Sequence, residues 1–86
     1  MFSATVTVVN ETGLHARPAS QLAELSQTFE SELRIYSGSD EINPKSIIDI
    51  LSGGIEQGTT IKLTAEGPDE QKAGGELVTF IEALTE

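Results

Sequence analysis

The chain has 86 residues, enough for one small domain, with fourteen Asp and Glu against five Lys and Arg and a formal net charge of −9. So few basic residues cannot form the broad cationic surface that nucleic acid or an anionic membrane requires, which excludes both classes of partner. Cysteine is absent, which excludes disulfides and thiolate metal sites. The net charge favours a monomer. We expect residues 1–86 to form a single cytoplasmic domain, because the sequence shows neither a signal peptide nor a membrane-spanning apolar stretch.

Hydrophobic periodicity predicts the first four elements. Residues 2–9 alternate between apolar and polar side chains, which is typical of a strand with one buried face. Residues 16–29 carry apolar side chains at helical spacing, and Pro18 falls in the first turn of this helix, where its missing N–H costs nothing. Alternation over 32–36 and a short return segment at 40–43 predict a hairpin around a glycine-containing turn.

Three more elements complete the chain. Residues 46–52 predict a short helix that ends at a Gly-Gly pair. A strand is expected at 59–65, and the last helix is expected at 70–84 with Asp69 as its N-cap. A second Gly-Gly pair, at 74–75, lies inside this helix and costs about 1 kcal/mol per residue relative to Ala, so we expect fraying or bending there.

The resulting element order is βαββαβα. Each predicted strand is apolar on one face only, so the sheet is covered on one side and all three helices must lie on that side. The predicted fold is therefore an α/β (α+β) open-faced sandwich, in which a four-stranded antiparallel sheet carries three helices on one face.

The residues with chemical potential are concentrated around the single histidine. Gly13 permits a tight backbone turn before His15, and the start of a helix offers unpaired N–H groups and a positive dipole end, which bind phosphate. Arg17 brings a guanidinium fork suited to phosphate oxygens. A histidine in this position can accept and release a phosphoryl group. Because the sequence implies no cofactor and no metal site beside it, we expect a phosphoryl carrier that borrows catalytic groups from its partners rather than a self-sufficient enzyme.

Spacing alone leaves two other interpretations open. In the first, His15 is an ordinary residue at a helix start, and the chain is a structural α/β domain without chemistry of its own. In the second, the chain is a regulatory binding module that acts through Ser46 and the apolar short helix.

Three segments carry a family resemblance across nearly the full length. Residues 13–19 (GLHARPA) resemble the active-site signature of HPr, the histidine-containing phosphocarrier family of the bacterial phosphoenolpyruvate:sugar phosphotransferase system. Residues 43–48 (NPKSII) and 51–55 (LSGGI) resemble the regulatory-site signature of that family, and residues 64–70 (TAEGPDE) lie where the family leads into its last helix. The resemblance implies the open-faced fold predicted above.

The resemblance also implies a function. His15 would accept phosphate on its Nδ1 atom from phosphorylated enzyme I, which takes it from phosphoenolpyruvate, and would pass it to enzyme IIA for sugar uptake. Arg17 would hold the phosphate oxygens, and Pro18 would shape the helix entry. Regulatory relatives with glutamine in place of the histidine are excluded by His15. The resemblance does not decide which branch of the phosphotransferase system this protein serves, because nitrogen-related and dihydroxyacetone kinase relays use similar carriers.

Ser46 has two interpretations. Serine is a favoured N-cap, so the residue is expected to begin the short helix. The resemblance implies in addition that Ser46 is a target of an HPr kinase/phosphorylase in some lineages, and that the product binds a transcriptional regulator. Phosphate at this place adds nearly two negative charges at a helix start.

The short helix contains more apolar residues than its inner face can accommodate. We expect Ile50 to point inward and Ile47, Ile48 and Leu51 to be partly exposed. Residues of this kind can be ordinary core packing. The resemblance implies instead that they form the apolar centre of a partner-docking surface, with Lys45 and Arg17 at its rim.

Overall fold

The computed structural model describes residues 1–85. Its seven elements follow the predicted order, and their boundaries differ from the predicted ones by at most two residues. They are β1 (Phe2–Thr7), α1 (Ala16–Gln27), β2 (Glu32–Ser37), β3 (Asp40–Ile42), α2 (Ile47–Ser52), β4 (Thr60–Glu66) and α3 (Glu70–Glu82). Within residues 1–85, no helix combines the length and the apolar character needed to cross a membrane.

The four strands form one antiparallel sheet in the order β1-β4-β2-β3. β4 is central and pairs along both of its edges, so that Val6 lies opposite Ile61 and Ile35 lies opposite Leu63. These residues are buried, whereas the alternate positions of the same strands are exposed or half-buried. The three helices cover the buried face, and the other face of the sheet is open, as predicted.

The core lies between the sheet and the helices. Its buried side chains come from both layers and include Val6, Leu33, Ile35, Ile61 and Leu63 from the strands and Leu22, Ile50, Leu77 and Ile81 from the helices. Leu84, which the periodicity placed on the inner face of the last helix, follows the end of α3 and is half-buried. The short α2 contributes a single fully buried residue, so most of its apolar surface is available for other contacts.

Gly74 lies where α3 packs against the beginning of β1. A Cβ at this position would overlap the aromatic ring of Phe2, so glycine allows the ring to reach the helix backbone. The helix continues through both glycines of the pair, and the predicted fraying is replaced by a packing contact. The α-amino group of Met1 adds an ion pair to Glu70 of α3 at 2.7 Å. The edge strand β1 is therefore held on α3 by two contacts.

Asp69 occupies the N-cap position of α3, but its side chain makes no capping bond. Its carboxylate instead accepts hydrogen bonds from the backbone N–H groups of Glu30 and Ser31, both at 2.9 Å, and from the Ser31 hydroxyl. These donors, the Ser31 hydroxyl first among them, hold the pKa of Asp69 below its usual range. The predicted cap residue thus ties the start of α3 to the loop between α1 and β2.

The contact between Gly74 and Phe2 generates a prediction about stability. In Gly74→Ala, overpacking against Phe2 costs about 1–3 kcal/mol, which outweighs the gain in helix propensity of about 1 kcal/mol. We expect a net loss in the free energy of unfolding, measured by urea denaturation.

Gly75→Ala is the matched control. A Cβ at position 75 has no neighbour within 4 Å, so this variant is expected to gain up to about 1 kcal/mol. Equal stability of the two variants would contradict the role assigned to Gly74.

Candidate functional site

His15 is the N-cap residue of α1 and has an extended backbone, with φ −116° and ψ 165°. Its side chain is half-buried and, among residues 1–85, makes no capping hydrogen bond. The first turn of a helix leaves N–H groups without intrahelical carbonyl partners and carries the positive end of the dipole. His15 therefore lies at the start of a helix, as the sequence predicted, where the local backbone charge favours an anion.

The backbone before His15 packs against the loop between α2 and β4, residues 53–59, which we call the second loop. Gly13 has a φ of +63°, and a Cβ there would overlap the Ile55 carbonyl oxygen and lie 2.8 Å from the Cα of Glu56. The N–H of Leu14 donates to the same Ile55 carbonyl at 2.9 Å, and the Leu14 side chain is fully buried. Two consecutive residues are thus fixed immediately before the histidine.

Asn10 closes the loop that leads to the site. Its buried side-chain amide donates to the Gly13 carbonyl at 2.8 Å, and the Gly13 N–H donates back to the Asn10 carbonyl at 3.2 Å. Sequence reasoning assigned no function to Asn10. The available signal was an Asn at the start of a Gly-containing turn, because Asn side chains bond readily to the backbone a few residues further on.

The second loop is itself tied to the end of β1. The N–H of Val8 donates to the Thr59 carbonyl at 2.8 Å, and the N–H of Gly58 donates to the Val8 carbonyl at 2.7 Å. The side-chain amide of Gln57 donates to the Val9 carbonyl at 3.0 Å. These bonds continue the β1–β4 pairing past the end of the sheet and hold Ile55 in reach of Leu14. None of them was predicted.

Ala16 has a positive φ of 48°, which is unusual for a residue with a side chain. Such a conformation costs about 1–2 kcal/mol. It lies directly between His15 and Arg17, so the chain turns sharply between the two residues with chemical potential. Pro18 follows as the third residue of α1 and is buried, while Arg17 is exposed. No sequence signal announces the conformation of Ala16.

α2 lies beside α1 and begins at Ile47, with Ser46 as its N-cap. The Ser46 hydroxyl accepts a hydrogen bond from the Asp49 N–H at 3.2 Å, and the Asp49 carboxylate accepts one from the Asn43 N–H at 2.7 Å. The expected orientation of the helix is confirmed, because Ile50 is fully buried. The exposed apolar side chains of α2 are Ile47 at 38%, Ile48 at 69% and Leu51 at 40%.

Lys45 is engaged with the end of α1. Its ammonium group donates to the Phe29 carbonyl at 2.8 Å, and its own carbonyl accepts a bond from the Gln27 side chain at 2.8 Å. A cation near the C-terminal end of a helix is favourable. Lys45 therefore connects α1 to the start of α2. The sequence analysis predicted Lys45 only as a residue at the rim of a docking surface, not as this link.

The backbone contact at Gly13 generates a second prediction. Gly13→Ala combines left-handed strain with an overlap onto backbone atoms of the second loop, so we expect a loss of about 2–5 kcal/mol in the free energy of unfolding. The NMR signals of the His15 ring are expected to move, because the loop before it must shift.

Gly54→Ala is the control for Gly13→Ala. Gly54 has a similar φ of +60°, but a Cβ there has no neighbour within 4 Å. We expect a loss of only about 1–2 kcal/mol and unchanged His15 ring signals. Equal effects of the two variants would show that the loop contact does not position His15.

Comparison with known proteins identifies relatives over almost the whole sequence. A family model described as "PTS HPr component phosphorylation site" matches residues 2–83. Phosphocarrier protein HPr of Haemophilus influenzae is 36% identical over 84 residues, which cover 98% of this chain and 99% of the relative. HPr-like protein Crh of Halalkalibacterium halodurans is 42% identical over 82 residues, which cover 95% of this chain and 98% of the relative.

Solved structures agree with this result. HPr-C-His from Thermoanaerobacter tengcongensis matches with a TM-score of 0.93 and 41% identity, over 96% of this chain and 93% of that chain. An HPr dimer from the same organism matches with a TM-score of 0.77 and 41% identity, over 96% and 95% of the two chains. Because the family model and the relatives cover nearly all of the sequence, this chain belongs to the HPr family of phosphocarriers of the phosphotransferase system.

Proposed function

We propose that the chain carries a phosphoryl group on His15, taken from phosphorylated enzyme I and passed to an enzyme IIA domain for sugar uptake. The observation that carries this proposal is the position of His15 at the N-cap of α1, with a side chain that does not cap the helix. Membership of the HPr family supports it. A nitrogen-related or dihydroxyacetone kinase relay is the alternative, and it differs only in the protein that accepts the phosphate.

The proposed chemistry needs few groups from this chain. A ring nitrogen of His15, Nδ1 by family resemblance, forms a bond to phosphorus as the bond between phosphorus and the donor breaks, and the reverse exchange delivers the group to the acceptor. N–H groups at the start of α1 and the Arg17 guanidinium offset the charge on the phosphate oxygens. Pro18 fixes its own φ in the first turn and so keeps the helix entry in one conformation.

We also propose that the protein is a monomer in the cytoplasm, where its proposed partners act. The net charge of −9 supports the monomer, because like charges oppose association of two copies of a small protein. Sedimentation equilibrium tests this state, and a mass twice that of the chain would contradict it.

Incubation with phosphoenolpyruvate and enzyme I tests the carrier function. We expect one acid-labile, base-stable phosphate per chain, absent in His15→Ala. Arg17→Ala is expected to slow the transfer by about 10²-fold or more, since removal of one oxyanion-stabilising group typically costs that much. The free energy of unfolding should change little, because Arg17 is exposed.

Arg34→Ala is the matched control. It removes the other arginine, which lies on the open face of the sheet and pairs with Glu32 and Glu41. Transfer to this variant should proceed at the rate of the unsubstituted protein. Phosphate gained by His15→Ala, or equal slowing by both arginine substitutions, would contradict the proposed roles.

We further propose that Ser46 is a phosphorylation site where an HPr kinase/phosphorylase is present, and that the product is recognised by a transcriptional regulator. The position of Ser46 beside the exposed residues Ile47 and Ile48 supports this proposal. Phosphate would add charge at the edge of the apolar surface and so weaken the docking of partners. It would also lie close to Asp49, whose backbone N–H donates to the Ser46 hydroxyl at 3.2 Å.

Incubation with ATP and such a kinase tests the role of Ser46. We expect an acid-stable phosphate that is absent in Ser46→Ala. Asp49→Asn removes a like charge beside the phosphate. The change in the free energy of unfolding on phosphorylation should therefore be more favourable in this variant than in the unsubstituted protein, by up to about 1 kcal/mol. An unmodified Ser46 under these conditions would contradict the proposal.

A further inference from the structure

The peptide group between Gly13 and Leu14 is hydrogen-bonded at both of its polar atoms. Its carbonyl oxygen, which belongs to Gly13, accepts a bond from the Asn10 side-chain amide at 2.8 Å. Its N–H, which belongs to Leu14, donates to the Ile55 carbonyl at 2.9 Å. We call this group the linking peptide, because the next residue along the chain is His15. A peptide group is a rigid plane, so bonds at both polar atoms fix its orientation.

The two partners of the linking peptide come from different parts of the chain. Asn10 follows β1, and Ile55 lies in the second loop between α2 and β4. The carbonyl and the N–H of a trans peptide point in opposite directions, so the two partners lie on opposite sides of the plane's long axis. The bond to Ile55 alone would leave the plane free to pivot about one atom. The bond from Asn10 removes that freedom.

Asn10 can hold the linking peptide because it is itself held. Its side chain is buried, with 3% of its surface exposed. The preceding carbonyl, that of Val9, accepts a bond from the Gln57 side chain at 3.0 Å. One residue earlier, Val8 makes two backbone bonds to the second loop, and the Asn10 carbonyl accepts a bond from the Gly13 N–H at 3.2 Å. The amide is therefore delivered from a fixed backbone.

The linking peptide requires a donor from position 10. A carbonyl oxygen only accepts hydrogen bonds, so the amide nitrogen of Asn10 must be the atom that faces it. An ionised aspartate offers only acceptors, and alanine offers no polar atom. Gly13 and Leu14 are both buried, so solvent does not replace a missing donor there. The bond at the carbonyl also polarises the peptide group and strengthens the bond that its N–H makes to Ile55.

From this arrangement we infer that Asn10 is a positioning residue for phosphoryl transfer: its side-chain amide fixes the linking peptide and thereby the place of the His15 ring at the start of α1. The inference rests on the proposed function, because it takes His15 as the group that accepts the phosphate. Asn10 acts through the backbone and does not touch the reacting atoms. A misplacement of about 1 Å can slow a reaction 10²-fold, so a small rotation of the plane before His15 is sufficient.

Two substitutions remove the donor in different ways. Asn10→Asp keeps the shape of the side chain, and Asn10→Ala adds no charge, so an effect that both share is caused by the missing donor. Single-turnover transfer from phosphorylated enzyme I is measured over a series of concentrations of each variant. We expect the maximal rate to fall about 10- to 100-fold. The concentration at half-maximal rate should not change, because no exposed side chain of α1 or α2 is altered.

Gly74→Ala is the control for loss of stability. Its expected destabilisation arises against Phe2, which is at the opposite end of β1 from the loop before His15. At a temperature where all variants are folded, both kinetic constants of Gly74→Ala should equal those of the unsubstituted protein.

NMR measures the position of the site without any transfer. In both Asn10 variants we expect the Leu14 amide proton to move upfield, because its bond to Ile55 weakens, and the His15 ring signals to shift. In Gly74→Ala these signals should stay where they are in the unsubstituted protein.

An unchanged maximal rate in either Asn10 variant, equal slowing by Gly74→Ala, or a change confined to the concentration at half-maximal rate would overturn the inference. If the unsubstituted protein accepts no phosphate, the proposed function fails, and the NMR signals alone decide what Asn10 does. Unmoved Leu14 and His15 signals would then overturn its positioning role, and shifts in both Asn10 variants would support it.

Discussion

The close approach of two backbone segments, at Gly13 and Ile55, is the constraint on which the site depends. Only a residue that lacks a Cβ and adopts a positive φ fits at position 13. The next residue, Leu14, uses its N–H on the same carbonyl and buries its side chain. His15 follows directly, so its position is set by main-chain packing rather than by bonds of the imidazole itself. The His15 side chain is therefore not needed to cap the helix that it begins.

Periodicity was sufficient for the architecture because the inward-facing residues of the longer elements repeat at the spacing of each element. Phe2, Ala4 and Val6 alternate, and Ala73, Leu77 and Ile81 recur at helical spacing. The predicted ends of the helices and strands were less accurate, because hydrogen bonds to residues outside an element help to decide where it ends. Val8 has the burial of a strand residue, yet it bonds to Thr59 beyond the regular sheet.

The histidine and the arginine of the site were visible in the sequence because they are close together and chemically distinctive. Ile55 and Gln57 were not, because their contacts to Leu14 and Val9 join residues that are far apart along the chain. Asp69 shows the same limit. Its position before the last helix was predicted, but the bonding partner Ser31 depends on the path of a distant loop. Ala16 has no local signal at all.

The net charge was known from composition, whereas its distribution required the structure. Lys45 was predicted at the rim of a partner-docking surface, and the structure adds that its ammonium donates to the Phe29 carbonyl beyond the end of α1. Arg34 and Lys62 lie on the opposite side of the sheet. The structure therefore places Arg34 among carboxylates on the open face of the sheet and Arg17 in the first turn of α1, next to His15.

The central position of β4 also has a consequence for synthesis on the ribosome. β1 is made first, but its sheet partner is β4, and the loop before His15 rests on Ile55. Loop closure over such a separation must precede the local contacts that depend on it. A nascent chain that already displays His15 therefore lacks the strand that pairs with β1 until residues 60–66 have left the exit tunnel. A polypeptide truncated before Thr60 would contain His15 and Arg17 without the central strand of the sheet.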